Sequence, residues 1–335
     1  MLKSLIYHHH LPRSKVGACA ITANLWKPTY RCSKRVYSKP LPLTLHVIVP
    51  RVLLKVVKST IGYWNNTEME VVIYPFSFML NSLHVKDNAK STIQYSMQKL
   101  MLPYILSEDV TQVINLSPHL IFNDDVAKLW EEFSKFSYPQ VIGAVCEQVE
   151  NCPTCCPKSG NQFPIYGYNL GLNLMHLKNM RLIEWKKLVH SELNTILNVG
   201  EEVGDLYQGV TNNILSKRKR MSFRIGCEWN IHAKQEDGMN VCPVAWSLHD
   251  PDVAECNDDH QMSRARVLQI KVDKSMYLHQ MKSDNDDENL AIELSNMNVT
   301  QMRSIFLQMN QAFWRLPMGC FFHNTKPNDK LTVTI

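Results

Sequence analysis

The strongest constraint on this chain is the alternation of short β-branched runs with segments of helical spacing. Leu45-His46-Val47-Ile48-Val49 is an apolar run closed by Pro50, and Met69 to Tyr74 is a second, closed by Pro75. Both read as buried strands, because β-branched side chains fit a pleated surface and proline interrupts the ladder. Elsewhere the period becomes helical. Ile93, Met97, Leu100 and Met101 share one face of the segment Ala89 to Met101, which Pro103 limits. Val126, Leu129, Trp130, Phe133 and Phe136 form another stripe after Asn123-Asp124-Asp125. Val110 to Phe122 reads as strand, turn and strand edge. Val141 to Val145 and Leu170 to Leu177 read as strands, and Asn179 to Leu197 as a helix. Strands alternating with helices bury their faces as an α/β sheet flanked by helices.

The chain has 335 residues, 45% hydrophobic and 20% charged, enough to bury a core without disulfide staples. Three stretches differ in pattern. Residues 1–43 are irregular, with His8-His9-His10, scattered prolines and no periodicity. Residues 44–245 carry the strand–helix alternation. Residues 246–335 continue the same domain, with an acidic loop at Asp284 to Glu288 and a final helix from Thr300 to Trp314. Its face of Met302, Ile305, Phe306, Met309 and Phe313 reads as core filler.

A net charge of +5 is mild, and the densest basic run, Lys217-Arg218-Lys219-Arg220, reads as a solvated loop between a helix and a strand. Without a basic face or aromatic interleaving, no nucleic-acid partner is expected. Cys152, Cys155 and Cys156 lack the second cysteine pair of a structural zinc site, so disulfides in an oxidising compartment are the better reading of the ten cysteines. Sequons at Asn65, Asn115 and Asn298 are compatible with secretion. No signal peptide is visible, and the most apolar region, Leu41 to Val57, is broken by Pro42, Pro50, Arg51 and Lys55. It falls short of the roughly 20 apolar residues a membrane span needs.

Four segments occur in an order that carries a resemblance. They are Ser96 to Leu106 followed by Val113-Ile114-Asn115-Leu116; Leu120 to Trp130; Tyr168 to Leu177; and Cys227-Glu228-Trp229-Asn230. Together they resemble the family 8 retaining glycosyltransferases, closest to the glucoside xylosyltransferases. The resemblance implies a GT-A-like fold of the nucleotide-diphospho-sugar transferase type, a mixed, mostly parallel sheet flanked by helices. Met1 to Leu5 is similar to the family's first helix. The family's first strand would then lie before Met1, and residues 8–43 would be an insertion.

The implied activity is transfer of xylose from UDP-xylose to O-linked glucose on a glycoprotein, with Mn²⁺, at a Golgi or other secretory-pathway membrane. Negative charge builds on the departing diphosphate, and a hard cation held by carboxylates neutralises it. Here the family's Asp-x-Asp position reads Ser117-Pro118-His119, and Gln269 stands at the C-terminal histidine position, with His279 as an alternative. A hydroxyl, an imidazole and an amide do not make a hard-cation site. A catalytically impaired or truncated protein with a binding or scaffolding role is therefore the rival expectation.

The other site residues follow from the same matches. Gln208 and Asn169 are the catalytic candidates; Gln98, Lys99, Ser117, His119, Asn169 and Gly171 are the donor-binding ones. Gln208 lies in Tyr207-Gln208-Gly209, where the family has Asp-Gln-Asp, and Gly204-Asp205 is a substitute for the lost acids. Lys99 stands for an arginine, keeping the charge without the bidentate fork; it reads equally as a solvated helix lysine. Asn169 either bonds the donor sugar or closes a turn. Asp124 and Asp125 read as helix caps and His119 as an exposed turn residue. The resemblance also pairs Cys227 with Cys242. Asn115 lies in the strand leading to the donor site, where a glycan has no room, in contrast to Asn65 and Asn298.

Overall fold

The computed structural model describes residues 1–9, 41–61, 69–76, 96–149, 156, 162–199, 205–232, 242, 244 and 263–269. Cys152, Cys155, Asn65, Asn298, His279, the acidic loop and the final helix lie outside the described residues.

The chain begins with helix α1 (Leu2–His8), which packs on β4 (Leu120–Phe122). Leu5 and Ile6 are buried, and Ser4 Oγ accepts the Phe122 amide at 3.1 Å. The expectation that residues 1–43 are irregular therefore fails at its beginning, where apolar residues and a buried hydroxyl dock a helix. The likeness of Met1 to Leu5 to a family helix agrees with this; residues 10–40 lie outside the description.

The two β-branched runs are β1 (Leu43–Pro50) and β2 (Met69–Phe76), paired in parallel from Leu43 opposite Met69 to Pro50 opposite Phe76. Helix α2 (Leu54–Ile61) lies in their connection, as a parallel pair requires a crossover. A four-stranded sheet runs in the order β3 (Val113–Leu116), β6 (Tyr168–Met175), β5 (Ile142–Cys146), β7 (Ser222–Arg224). In a third sheet, β9 (Val267–Gln269) lies between β4 and β8 (Ile231–His232). Strand β9 thus joins the C-terminal part of the chain to the central part. The expected α/β architecture holds. Three of the six pairings among the described residues are parallel, so the sheets are mixed.

Apolar strand faces and helix stripes explain the core. Residues 96–100 are helical, and Met97 and Leu100 are fully buried beside Trp185, Val189 and Ile214. A short helix, α3 (Leu102–Ile105), follows with Pro103 in its first turn, where proline is tolerated. Helix α4 (Val126–Trp130) starts at Asp125, whose carboxylate accepts the Ala127 amide; a 3₁₀ segment, Glu131–Lys135, completes the stripe. The segment read as one helix from Asn179 to Leu197 is two, α5 (Leu177–Leu182) and α6 (Trp185–Val199). Glu184 breaks them at φ 56°, a left-handed conformation that no periodicity announces. Across the break, the Trp185 indole donates to the Leu100 carbonyl at 2.9 Å. Arg181 donates to the carbonyls of Pro103, Leu106, Ser107, Glu108 and Val110, fixing the loop that leads into β3.

Two disulfides lie among the described residues. Cys227 pairs with Cys242 at a Cα separation of 5.6 Å, and Cys146 pairs with Cys156. The basic run closes helix α7 (Leu206–Lys217) and a 3₁₀ turn, Lys219–Met221. Lys217 pairs with the buried Glu192 at 2.7 Å, while Arg218, Lys219 and Arg220 are exposed.

Candidate functional site

The sheets bring Ser117, Asn169, Gly171, Gln208 and Gln269 to one end of β3 and β6. Ser117 follows β3, and its amide donates to the Gly171 carbonyl of β6 at 2.7 Å, extending the strand pairing by one rung. The half-buried Ser117 Oγ accepts the His119 amide at 3.4 Å, and His119 itself is exposed. Gln269 reaches this corner from β9. A Cβ built on Gly171 would stand 2.7 Å from both terminal atoms of the Gln269 amide. Glycine at 171 is what lets this side chain lie against β6. The Gln269 Oε1 atom is buried without a hydrogen-bond partner.

Two residues away, Asn169 is the centre of a denser network. Its Oδ1 accepts the Gly171 amide at 2.9 Å and the Asn230 Nδ2 at 2.8 Å. Its Nδ2 lies 3.2 and 3.3 Å from the two carboxylate oxygens of Glu147, and 2.5 Å from His232 Nε2. Gln208 joins from the first turn of α7. Its Oε1 accepts the Leu170 amide at 3.0 Å, and its Nε2 donates to Glu147 Oε2 at 2.9 Å. Asp205 caps α7, its carboxylate accepting the Gln208 amide, so it serves the helix rather than the cleft. Tyr207 is buried, and its hydroxyl lies 2.6 Å from Asn173 Nδ2 and 3.3 Å from Asn115 Nδ2. Lys99 lies over the Tyr207 ring at 5.2 Å, and Gln98 is buried in the same helical segment.

Asp124 and Asp125 do structural work on the far side. Asp124 is buried and bonds Arg266 and Lys128, each at 2.9 Å. Asp125 caps α4 and pairs with His9 at 2.6 Å. Burial pulls the His9 pKa down, but the Asp125 hydrogen bond and charge and the Leu41 carbonyl raise it overall.

Glu147 and His232 carry no motif and are not singled out by the sequence. Glu147 leaves β5 one residue past Cys146, and His232 ends β8 opposite Gln269 in register. Their side chains are 22% and 15% exposed, so the pair is sheltered yet reachable. The available signal was positional: an acid at a strand exit, and a histidine two residues after Asn230.

No family model matches the chain. The xylosyl- and glucuronyltransferase LARGE2s of Gallus gallus is 23% identical over 251 residues, 73% of this chain and 33% of that protein. The human xylosyl- and glucuronyltransferase LARGE1 is 22% identical over 249 residues, 73% of this chain and 32% of that protein. The chain therefore spans about a third of the length of these curated relatives. Among solved structures, apo mouse xyloside xylosyltransferase 1 aligns with 68% of this chain and 83% of its own. The sequence identity is 16% and the TM-score 0.47.

Proposed function

We infer, from the premise that this chain is a relative of the family 8 retaining glycosyltransferases on the xylosyltransferase side, that its cleft binds a nucleotide sugar. The proposed reaction is transfer of xylose from UDP-xylose to a glucose-bearing glycoprotein acceptor, with retention. The observation that carries this reading is the assembly of Asn169, Gly171, Gln208 and Ser117 at one strand end. In α/β sheets, ligands bind in the crevice beyond strand ends. Gln208 and Asn169 address the donor sugar. Lys99 and backbone N–H groups face the charge that develops on the departing diphosphate. Disulfides support an oxidising, secretory compartment. No helix among the described residues is long and apolar enough to cross a membrane.

The residues at the Asp-x-Asp position do not fit the Mn²⁺ that the resemblance implies. Ser117 offers a hydroxyl that already accepts the His119 amide, and Gln269 offers an amide packed on Gly171. Neither brings a carboxylate, and hard divalent cations take oxygen-rich, charged ligand sets. No step is assigned to a metal. Losing one preorganised stabiliser commonly costs about a hundredfold in rate. The same lack of carboxylates supports a second reading, a sugar-nucleotide- or acceptor-binding protein with little turnover.

Titrating the chain calorimetrically with UDP-xylose, with and without Mn²⁺, tests both. Binding that is insensitive to Mn²⁺ supports the cleft as described. Binding that appears only with Mn²⁺ means that other residues hold the ion. No binding in either condition removes the donor-site reading.

A further inference from the structure

We propose that His232 is the acid–base residue of this cleft, with Glu147 as its positioning partner, and that it takes the proton of an acceptor-sugar hydroxyl. The proposal rests on the transferase reading above.

The hydrogen-bond network fixes the tautomer. Asn169 Oδ1 accepts two N–H groups, from Gly171 and from Asn230, so the other atom of that amide is its NH₂. That NH₂ lies 2.5 Å from His232 Nε2, which must therefore be the unprotonated, accepting nitrogen. The ring proton is then on Nδ1, facing Glu147 Oε1 at 3.5 Å. A carboxylate facing Nδ1–H, with a lone pair on Nε2, is the arrangement by which an acid orients an imidazole base. The Nδ1 contact is long, as such contacts often are before a ligand closes the site. Among the described residues, Glu147 on the exit of β5 brings a charge to face the ring. Asn169 of β6, Gln208 of α7 and Gln269 of β9 bring neutral amides.

Asn169 is already shared between His232 and Glu147. An entering hydroxyl can take its place on Nε2 while the amide stays on the carboxylate. The acceptor proton then passes to Nε2 as the acceptor oxygen bonds C1 of the donor sugar on the same face from which the diphosphate leaves, so that configuration is retained. The C1–O bond to the diphosphate breaks, UDP departs with the electron pair, and the imidazolium returns its proton to the released diphosphate. Glu147 offsets the imidazolium charge in the interval.

The test uses the full chain with UDP-xylose and phenyl β-glucoside as probes. His232→Gln should bind UDP-xylose within about threefold of wild type. Its transfer rate should fall about a hundredfold or more. The wild-type rate should rise with pH through one ionisation. Glu147→Gln should move that inflection to lower pH, because the imidazolium loses its counter-charge. Nitrogen NMR of the unmodified chain should show His232 as the Nδ1–H tautomer, whether or not any variant folds. Wild-type transfer rates in His232→Gln would overturn the proposal. So would an Nε2–H tautomer, or a wild-type chain that binds UDP-xylose and transfers nothing. A chain that does not bind UDP-xylose overturns the transferase reading instead, and this proposal with it.

Discussion

The two corners at the end of β3 and β6 are built in opposite ways. At the Ser117–Gln269 corner, neutral side chains meet with few bonds; the buried Gln269 Oε1 has no partner, as is also true of Asn230 Oδ1 at the centre. At the Asn169 centre, one carboxylate, one imidazole and several amides are bonded across β5, β6, β8 and α7. A network of this kind fixes geometry, because each buried polar group must keep its partner. The loose corner can change at little expense to folding, whereas the tight centre cannot. The Ser117, His119 and Gln269 side chains bring no carboxylate to their corner. The centre holds a carboxylate, Glu147, beside an imidazole, His232.

The sharpest way to break this contrast is to rebuild the loose corner. Ser117→Asp, His119→Asp and Gln269→His together should create Mn²⁺ binding in about the millimolar range, worth about 4 kcal/mol. Calorimetry with and without Mn²⁺ reads it directly. Failure to bind would mean that these three positions do not converge on one point.

The next largest effect separates the halves by stability. Asn169→Leu leaves Glu147 and His232 short of a partner and should lower unfolding free energy by about 3 kcal/mol. Ser117→Ala, which loses only a 3.4 Å contact to the His119 amide, should stay within about 0.5 kcal/mol of wild type. Urea midpoints decide. Equal losses would erase the distinction between a tight centre and a loose corner.

The contrast also explains what the sequence could reveal. Strands β1 and β2 were legible because their β-branched runs end at prolines. Ser117 and His119 stand out in the sequence because the segments on either side of them match the family, and Gln269 is the best match in Val267-Leu268-Gln269. The Glu147–His232 pair was not legible. It is made by β8 lying beside β9 and by Gln208 reaching from a helix to a strand exit, contacts that no local period encodes. The left-handed Glu184 was hidden for a related reason. Tertiary packing of Trp185 against the 96–100 segment outweighs the continuous helical pattern. Helix α1 is legible only through the likeness of Met1 to Leu5 to a family helix, because seven residues beside an unpatterned stretch carry too short a period.

A smaller effect concerns Asn115, at the margin between the two halves. Its amide faces the Tyr207 hydroxyl, 3.3 Å away in a partly buried setting. A glycan on that nitrogen would have to displace the buried tyrosine. Glycopeptide mass spectrometry of secreted protein should find Asn115 unmodified. Asn115→Ala should cost about 1 kcal/mol, the usual worth of one such bond. An occupied Asn115 would place this strand end in open solvent and weaken the donor-site reading.

The smallest expected effect compares two imidazoles, each facing a carboxylate. His232 has the Glu147 carboxylate near Nδ1 and the Asn169 amide donor at Nε2. His9 has acceptors on both sides, Asp125 Oδ1 at 2.6 Å and the Leu41 carbonyl at 2.9 Å. Only the doubly protonated ring satisfies both, which agrees with the raised pKa of His9 despite its burial. The sign follows from linkage. A histidine whose folded pKa lies above its unfolded value, about 6.5, contributes stability fully below that value. The contribution is lost as pH rises through the raised folded pKa. Docking of α1 on β4 should therefore weaken from mildly acidic to mildly alkaline pH, seen as faster amide exchange at Leu5 and Ile6. His9→Asn should flatten that dependence, because an uncharged side chain cannot exchange the proton. If His9→Asn leaves the slope unchanged, the pH response belongs to another group, and the distinction between the two imidazoles loses its support.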